Sequence, residues 1–142
     1  QQYTIAQLGK LKVDALAENI RSFNPFINLV LHSVKITPAN FDAIFKEADL
    51  LLEAMDEADQ KEMLISCWLS NYSKRHIIAA SGIAGFGKNK NIHCEHYGFL
   101  HLIGDMNSEL QKKVSPIATR VAVVANMQAN LALELLAEPK GK

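Results

Sequence analysis

Asp56 ends a compact apolar run, Asp49 to Met55, of the kind that forms a strand buried on both faces. Open α/β sheets bind ligands at the carboxyl ends of their strands, and an acid placed there is suited to hold a metal ion on a triphosphate. The same position would let Asp56 cap a helix expected from Glu57 to about Ser73, and spacing alone leaves both roles open. Lys12, beside Lys10 in the middle of an expected helix, is either a solvated lysine or a phosphate contact. Gly82, Gly85 and Gly87 could bring backbone amides to a phosphate. Their spacing is not the dinucleotide pattern and no clear helix follows at once, so a sharp turn is the better reading.

His32, His76, His93, His96 and His101 are scattered through strand-like segments. Only His93 and His96, with Cys94 between them, are close enough to evoke a metal site. Neighbouring strand residues point to opposite faces, so for His93 and Cys94 a structural role is expected over a shared ligand set. Cys67 lies on the apolar side of an expected helix, as a buried and inert thiol; Cys94 could be accessible. Neither has a sequence-adjacent base, which argues against covalent catalysis.

These residues sit in 142 positions, 49% of them apolar, enough to bury one continuous core, so a single domain is expected. Fifteen Lys and Arg balance fifteen Asp and Glu, leaving no net field to draw nucleic acid or an anionic membrane. Two cysteines without close spacing are neither a zinc pair nor a disulfide scaffold and read as reduced thiols of a cytoplasmic protein. No apolar stretch reaches the length of a membrane span. A start at Gln1 rather than Met, and a polar tail ending at Lys142, predict a fragment.

Periodicity supplies the elements that must position the candidates. Leu8, Leu11, Ala15, Leu16, Ile20 and Phe23 fall on one face of a helix from about Gly9 to Ser22, stopped by Asn24-Pro25. Phe26 to Val34 reads as a strand, and Thr37-Pro38 opens a short helix to about Ala48. His76 to Ser81 reads as a buried strand entering the glycine loop. Asn91 to Glu95 and Phe99 to Ile103 form a hairpin around Tyr97-Gly98, ended by Gly104-Asp105. Pro116 to Glu138 is the longest helix, with Ile117, Val121, Val124, Gln128, Leu131 and Leu135 on its inner face. Alternating helix and strand followed by a strand pair predict an α/β fold, a mainly parallel sheet with an antiparallel extension.

Taken in order, Gln1-Gln2-Tyr3, Leu8-Gly9-Lys10-Leu11-Lys12, Asn24-Pro25-Phe26, Glu53-Ala54-Met55-Asp56, Ala80 through Gly87, Gly104-Asp105 and Arg120 through Asn130 resemble the ThiF, MoeB and HesA branch of the ubiquitin-activating superfamily, ThiF most of all. The resemblance runs from Gln1 to about Leu136, within a domain spanning 1–138, with 139–142 as a tail. It implies a Rossmann-like domain that binds ATP with magnesium. That domain would transfer AMP to the terminal glycine carboxylate of a ThiS-like, ubiquitin-fold sulfur carrier, in thiamine synthesis, with pyrophosphate as the other product.

By the same resemblance Lys12 contacts the nucleotide phosphates and Asp56 serves the metal and triphosphate. Lys61 stands where relatives have a basic residue, and Gln1 or Gln2 matches a glutamine that follows a phosphate-binding arginine. The chain departs from the family pattern in two ways. The first strand, the glycine-rich turn, the ribose-binding acid and that arginine would all lie upstream of Gln1, so the fragment alone is expected to be inactive. The paired cysteines of MoeB-like zinc sites are missing, which favours the zinc-free type. An uncovered sheet edge predicts association with a second copy or with an amino-terminal half. Two competing functions are a non-catalytic half-domain that binds a ubiquitin-like protein or completes another subunit, and a tRNA-modifying dehydratase, for which the neutral charge offers no RNA footprint.

Overall fold

A computed structural model of the chain describes residues 3–108 and 115–137. Two compact units make up the chain, Gln1–Ile36 and Thr37–Lys142.

In the first unit a 3-10 turn, Ile5–Gln7, precedes helix α1, Lys12–Phe23. The helix begins three residues later than periodicity suggests, because Gly9 adopts φ +87° and breaks the run before Lys12. The Gln7 amide docks the turn on the helix, donating to the Asn19 Oδ1 at 2.8 Å and to the Ala15 carbonyl at 3.1 Å. Asn24 ends the helix as read from Asn24-Pro25. Phe26–Val34 is unpaired and forms no strand, contrary to its alternating pattern. Strand structure exists only through a ladder, and among the described residues none forms here; Phe26 is 94% exposed. Leu8, Leu11 and Phe23 are likewise exposed, so the helical stripe that periodicity marks is not covered.

The second unit holds the sheet. Helix α2, Pro38–Phe45, starts as the Thr37-Pro38 pair demands: proline occupies the first turn, and the Thr37 amide donates to the Asn40 Oδ1 at 2.8 Å. Strand β1 is Leu50–Leu52, helix α3 Ala58–Asn71 and strand β2 His76–Ala80. The hairpin pairs β3, His93–Tyr97, with β4, Leu100–Gly104, and helix α4 runs Ala118–Ala137. Sheet order is β1-β2-β4-β3, with β1, β2 and β4 parallel and β3 antiparallel to β4. The expected parallel sheet with an antiparallel extension is what forms. Tyr97 pairs with Leu100 and His96 with His101, which fixes the hairpin register on the Gly98 turn.

Side-chain alternation sends Ile78 and Ile103 toward α4, where Val124 and Ala132 meet them. Ile77 and Ala79 point the opposite way and are fully buried too. Helix α3 packs on β2 with Leu64 and Trp68 buried, and the Trp68 indole donates to the Arg75 carbonyl at 3.0 Å. The rings of Trp68 and Tyr72 meet edge to face, 4.9 Å apart. Strand β1 departs from the doubly buried strand expected of it: Leu51 is buried, but Leu52 is 46% exposed at the sheet edge. The inner face of α4 also differs in detail. Val124 and Gln128 are buried as expected and Leu131 and Leu135 partly so, whereas Ile117 and Val121 are exposed and Arg120 and Ala132 face inward. Glu138 and the tail 139–142 lie outside the described residues.

Candidate functional site

The carboxyl ends of β1, β2 and β4 converge where parallel sheets place ligands. Beyond β1 the chain continues through Glu53, whose amide still pairs with the Ile78 carbonyl at 2.9 Å. Glu53 is 1% exposed, and its carboxylate accepts the Met55 amide hydrogen. Three residues later Asp56 stands exposed in the bend before α3. The cap position of α3 belongs to Glu57, so Asp56 is not the helix cap. Asp56 makes no hydrogen bond or ion pair among the described residues, which leaves both carboxylate oxygens available to a cation.

Lys61, one turn into α3, reaches back to the same edge. Its ammonium donates to the Ala80 carbonyl at 2.7 Å and lies 3.7 Å from the Glu53 carboxylate. It therefore clamps the end of β1 to the end of β2. Sequence reading marked Lys61 as a basic residue of the site but did not see that Glu53, a buried acid at a strand end, would hold it.

After Ala80 the chain turns through the glycine segment. Gly82, φ +74°, has no room for a side chain, since a Cβ there would sit 2.1 Å from an Asp105 oxygen. A hydrogen-bonded crossing locks Ser81 and Gly82 to the end of β4: Ser81 donates to the Ile103 carbonyl at 3.0 Å and Asp105 to the Gly82 carbonyl at 3.2 Å. The segment is the sharp turn expected, and its amides near Gly85 bond within the protein, as in the 3.1 Å bond to the Ser115 carbonyl.

Arg120, buried in the first turn of α4, braces this turn. Its guanidinium donates to the Gly87 carbonyl at 2.8 Å and forms an ion pair with Asp105. Burial pushes the Asp105 carboxyl up, but the amides of Asn107 and Ser108, the Ser108 hydroxyl and the Arg120 charge outweigh it, leaving Asp105 below the usual carboxylate range. Replacing Arg120 by Met should cost about 3 kcal/mol, because it strands a half-buried carboxylate and frees the turn. A fall in the urea midpoint at unchanged slope is the measurement that checks it.

In the first unit Lys12 is the opening residue of α1 rather than a mid-helix lysine. It is exposed and lines a shallow depression with Tyr3, Thr4, Gln7 and Gly9. Lys10 is already committed, its ammonium 2.7 Å from Glu18, whereas Lys12 has no ion pair among the described residues. Gln1 and Gln2 lie outside the described residues.

His93 and Cys94 do face opposite sides of β3. His93 bonds to the Asn91 carbonyl and to Glu95, while Cys94 packs toward α4. Burial, then the charges of Glu134 and Glu95, push the Cys94 thiol up, away from a reactive thiolate. Cys67 is partly rather than fully buried. No group of three or more His, Cys, Asp and Glu side chains among the described residues is placed to hold a metal. What sequence reading missed is that His76, His101 and His96 touch in a row across β2, β4 and β3. The hairpin register held the clue, since residues equidistant from the Gly98 turn become cross-strand partners. No helix among the described residues is long and apolar enough to cross a membrane.

Among known proteins, the chain is 41% identical over 49 residues to the adenylyltransferase and sulfurtransferase uba4 of Emericella nidulans, covering 34% of this chain and 10% of that protein. It is 33% identical over 52 residues to the probable adenylyltransferase/sulfurtransferase MoeZ of Mycobacterium tuberculosis, covering 37% and 13%. Among solved structures it superimposes on the tRNA N6-threonylcarbamoyladenosine dehydratase TcdA of E. coli in complex with AMP, with TM-score 0.76, 15% identity, and coverage of 92% of this chain and 66% of that one. The same enzyme in complex with ATP gives TM-score 0.68 at 14% identity, covering 92% and 68%. At such identities the likeness is one of fold, here Rossmann-like. The sequence profile of the ThiF family matches residues 1–142, and with the strand-end acid and braced glycine turn in place, the chain belongs to the ThiF family.

Proposed function

We propose that this chain is the carboxyl-terminal part of a ThiF-type adenylyltransferase domain, to which both units and residues 1–138 belong. Its parent protein would activate the terminal glycine carboxylate of a ThiS-like, ubiquitin-fold sulfur carrier. The observation that carries this reading is the exposed Asp56 carboxylate, free of protein partners among the described residues, at the carboxyl end of a parallel strand in a ThiF-family chain.

Adenylation joins a carrier carboxylate oxygen to the α-phosphorus of ATP and breaks the bond to the β-phosphate oxygen, so pyrophosphate leaves with the electron pair. Neither oxygen needs a proton moved. The task is alignment and neutralisation of charge on the phosphates. A magnesium ion, when bound, would neutralise and orient the triphosphate, and Asp56 is the residue suited to hold it. Lys12 would supply a fixed positive charge to the phosphates, and Gln1 or Gln2 would add a polar contact to the nucleotide. Lys61 would act by holding the β1 end in place rather than by touching nucleotide.

The test is ATP–pyrophosphate exchange dependent on a ubiquitin-fold carrier ending in glycine, with the intact parent protein and this chain compared. Exchange by the parent alone supports the reading. Carrier-independent behaviour of the parent, or vigorous turnover by this chain, overturns it, and binding of the carrier without exchange would favour a non-catalytic half-domain.

The open edge of β1 and exposed Leu52, with Leu133 and Leu136 on α4, are apolar surface that an isolated monomer rarely leaves bare. A second copy or an amino-terminal half would cover them. Light scattering at high concentration is expected to give a mass above the 15.7 kDa of one chain; a clean monomer would contradict this.

A further inference from the structure

Three imidazoles lie in a row on the α4 face of the sheet, at the end opposite the candidate site. His76 Nδ1 is 2.8 Å from His101 Nε2, and His101 Nδ1 is 2.6 Å from His96 Nδ1. Both ring nitrogens of His101 are thus committed, and that residue is 4% exposed. The rings of His76 and His101 stack, those of His96 and His101 meet edge on, and Phe99 packs on His76. His96 is exposed and lines a cleft of about 460 Å³ between β3 and α4.

Counting hydrogens decides what this row can hold. Each N···N contact requires one hydrogen between its two nitrogens. Three neutral imidazoles carry three hydrogens: two fill the contacts and the third sits on one outer Nε2, of His76 or of His96. One added proton takes the other outer Nε2 and leaves both contacts whole. A second added proton finds no vacant nitrogen outside the contacts, so it sets N–H against N–H in one of them and leaves two positive charges in the row.

We propose that His76, His101 and His96 form a one-proton switch: a single added proton is held with both ring contacts intact, and a second parts His96 from His101, loosening β3 from β4 beside the α4 cleft. The edge strand is the element that yields, since β3 has a ladder partner on one side only. The groups that face the row are His76 on β2, His96 and Cys94 on β3, and Glu134 on α4, which lines the same cleft. The other charge on α4, Arg120, is taken by Asp105. From β1 the neighbour of His76 is the apolar Leu50. His93, Glu95 and Tyr97 lie on the opposite face of β3 by alternation.

Burial, reinforced by the charges of His76 and His96, pushes His101 down from 6.5 to about 4. His101 therefore takes up a proton near pH 6.5 in the unfolded chain but not until about pH 4 in the folded one, so the first added proton rests on an outer ring. The His101 contribution makes stability fall as pH drops through this window and level off below it.

The experiment is a pH titration of the ¹⁵N-labelled chain, following ring nitrogens and backbone amide exchange together. The first proton should move signals of all three rings at one shared midpoint. The second should raise exchange at the Cys94–Tyr97 amides by about tenfold beyond the intrinsic chemical rate. Three independent midpoints with unchanged β3 exchange would overturn the proposal. His101→Leu should abolish the shared midpoint and flatten a pH dependence that in the unmodified chain raises the unfolding constant by at least about tenfold between pH 6.5 and 4. Should that variant fail to fold, His96→Gln at the exposed end serves instead: it should remove the acid loosening of β3, and a variant that loosens like the original would refute the switch.

Discussion

Asp56→Ala in the intact parent protein is expected to lower carrier-dependent ATP–pyrophosphate exchange by about 10²–10³-fold, with the fold unchanged. The magnitude follows from removing one preorganised electrostatic group at a site where charge on phosphate must be held. The harmlessness to the fold follows from exposure, since Asp56 bonds to no described residue and does not cap α3. Asp56→Asn should lose nearly as much, because the amide keeps shape but not charge. Lys12→Ala is expected to fall by a similar factor, while Lys10→Ala, whose ammonium is already spent on Glu18, should change the rate by less than about threefold. Equal losses at Lys10 and Lys12, or an active Asp56→Ala protein, would remove the role assigned to these side chains. Urea midpoints of each variant separate loss of chemistry from loss of structure.

Gly104→Ala is expected to abolish cooperative folding. The residue adopts φ +152°, and a Cβ there would lie 1.5 Å from the Ser81 carbonyl oxygen and 2.6 Å from its carbon. Both contacts are backbone, so no side chain can swing aside. Nor can Ser81 retreat, because its amide donates to Ile103 and its carbonyl accepts from Met106 at 3.3 Å. Separating β4 from the glycine turn would sacrifice those bonds and expose the Ile103 face of the core. The loss should exceed about 4 kcal/mol, much of a typical domain's stability. Gly98→Ala is the matched control: it also has positive φ, but its Cβ would meet nothing within 4 Å, so only the left-handed penalty of about 1–2 kcal/mol applies. Circular dichroism melts of the two proteins make the comparison, and a Gly104→Ala chain that melts like Gly98→Ala would show that the crossing is looser than described.

Where periodicity and turn chemistry agreed, the sequence was readable. Tyr97-Gly98 between two strand-like segments predicts the hairpin, and Thr37-Pro38 predicts the start of α2, because both depend on neighbours in the chain. Phe26–Val34 misled for the opposite reason: alternation records which face could be buried, but a strand also needs a partner, and that information is not local. Lys12 was misplaced within its helix because one glycine at positive φ outweighed the apolar spacing around it. Asp56 was legible as a strand-end acid. The brace of Arg120 on Asp105 and the grip of Lys61 on Glu53 were not, since each joins residues brought near only by the sheet. The three histidines stand between these cases: one pair follows from hairpin register, the third from a crossover that no local pattern reveals.

The tie from Lys61 to Ala80 and Glu53 has a mechanical consequence. It fuses the tip that carries Asp56 to the root of the glycine turn, so the two behave as one stiff jaw rather than as separate fingers.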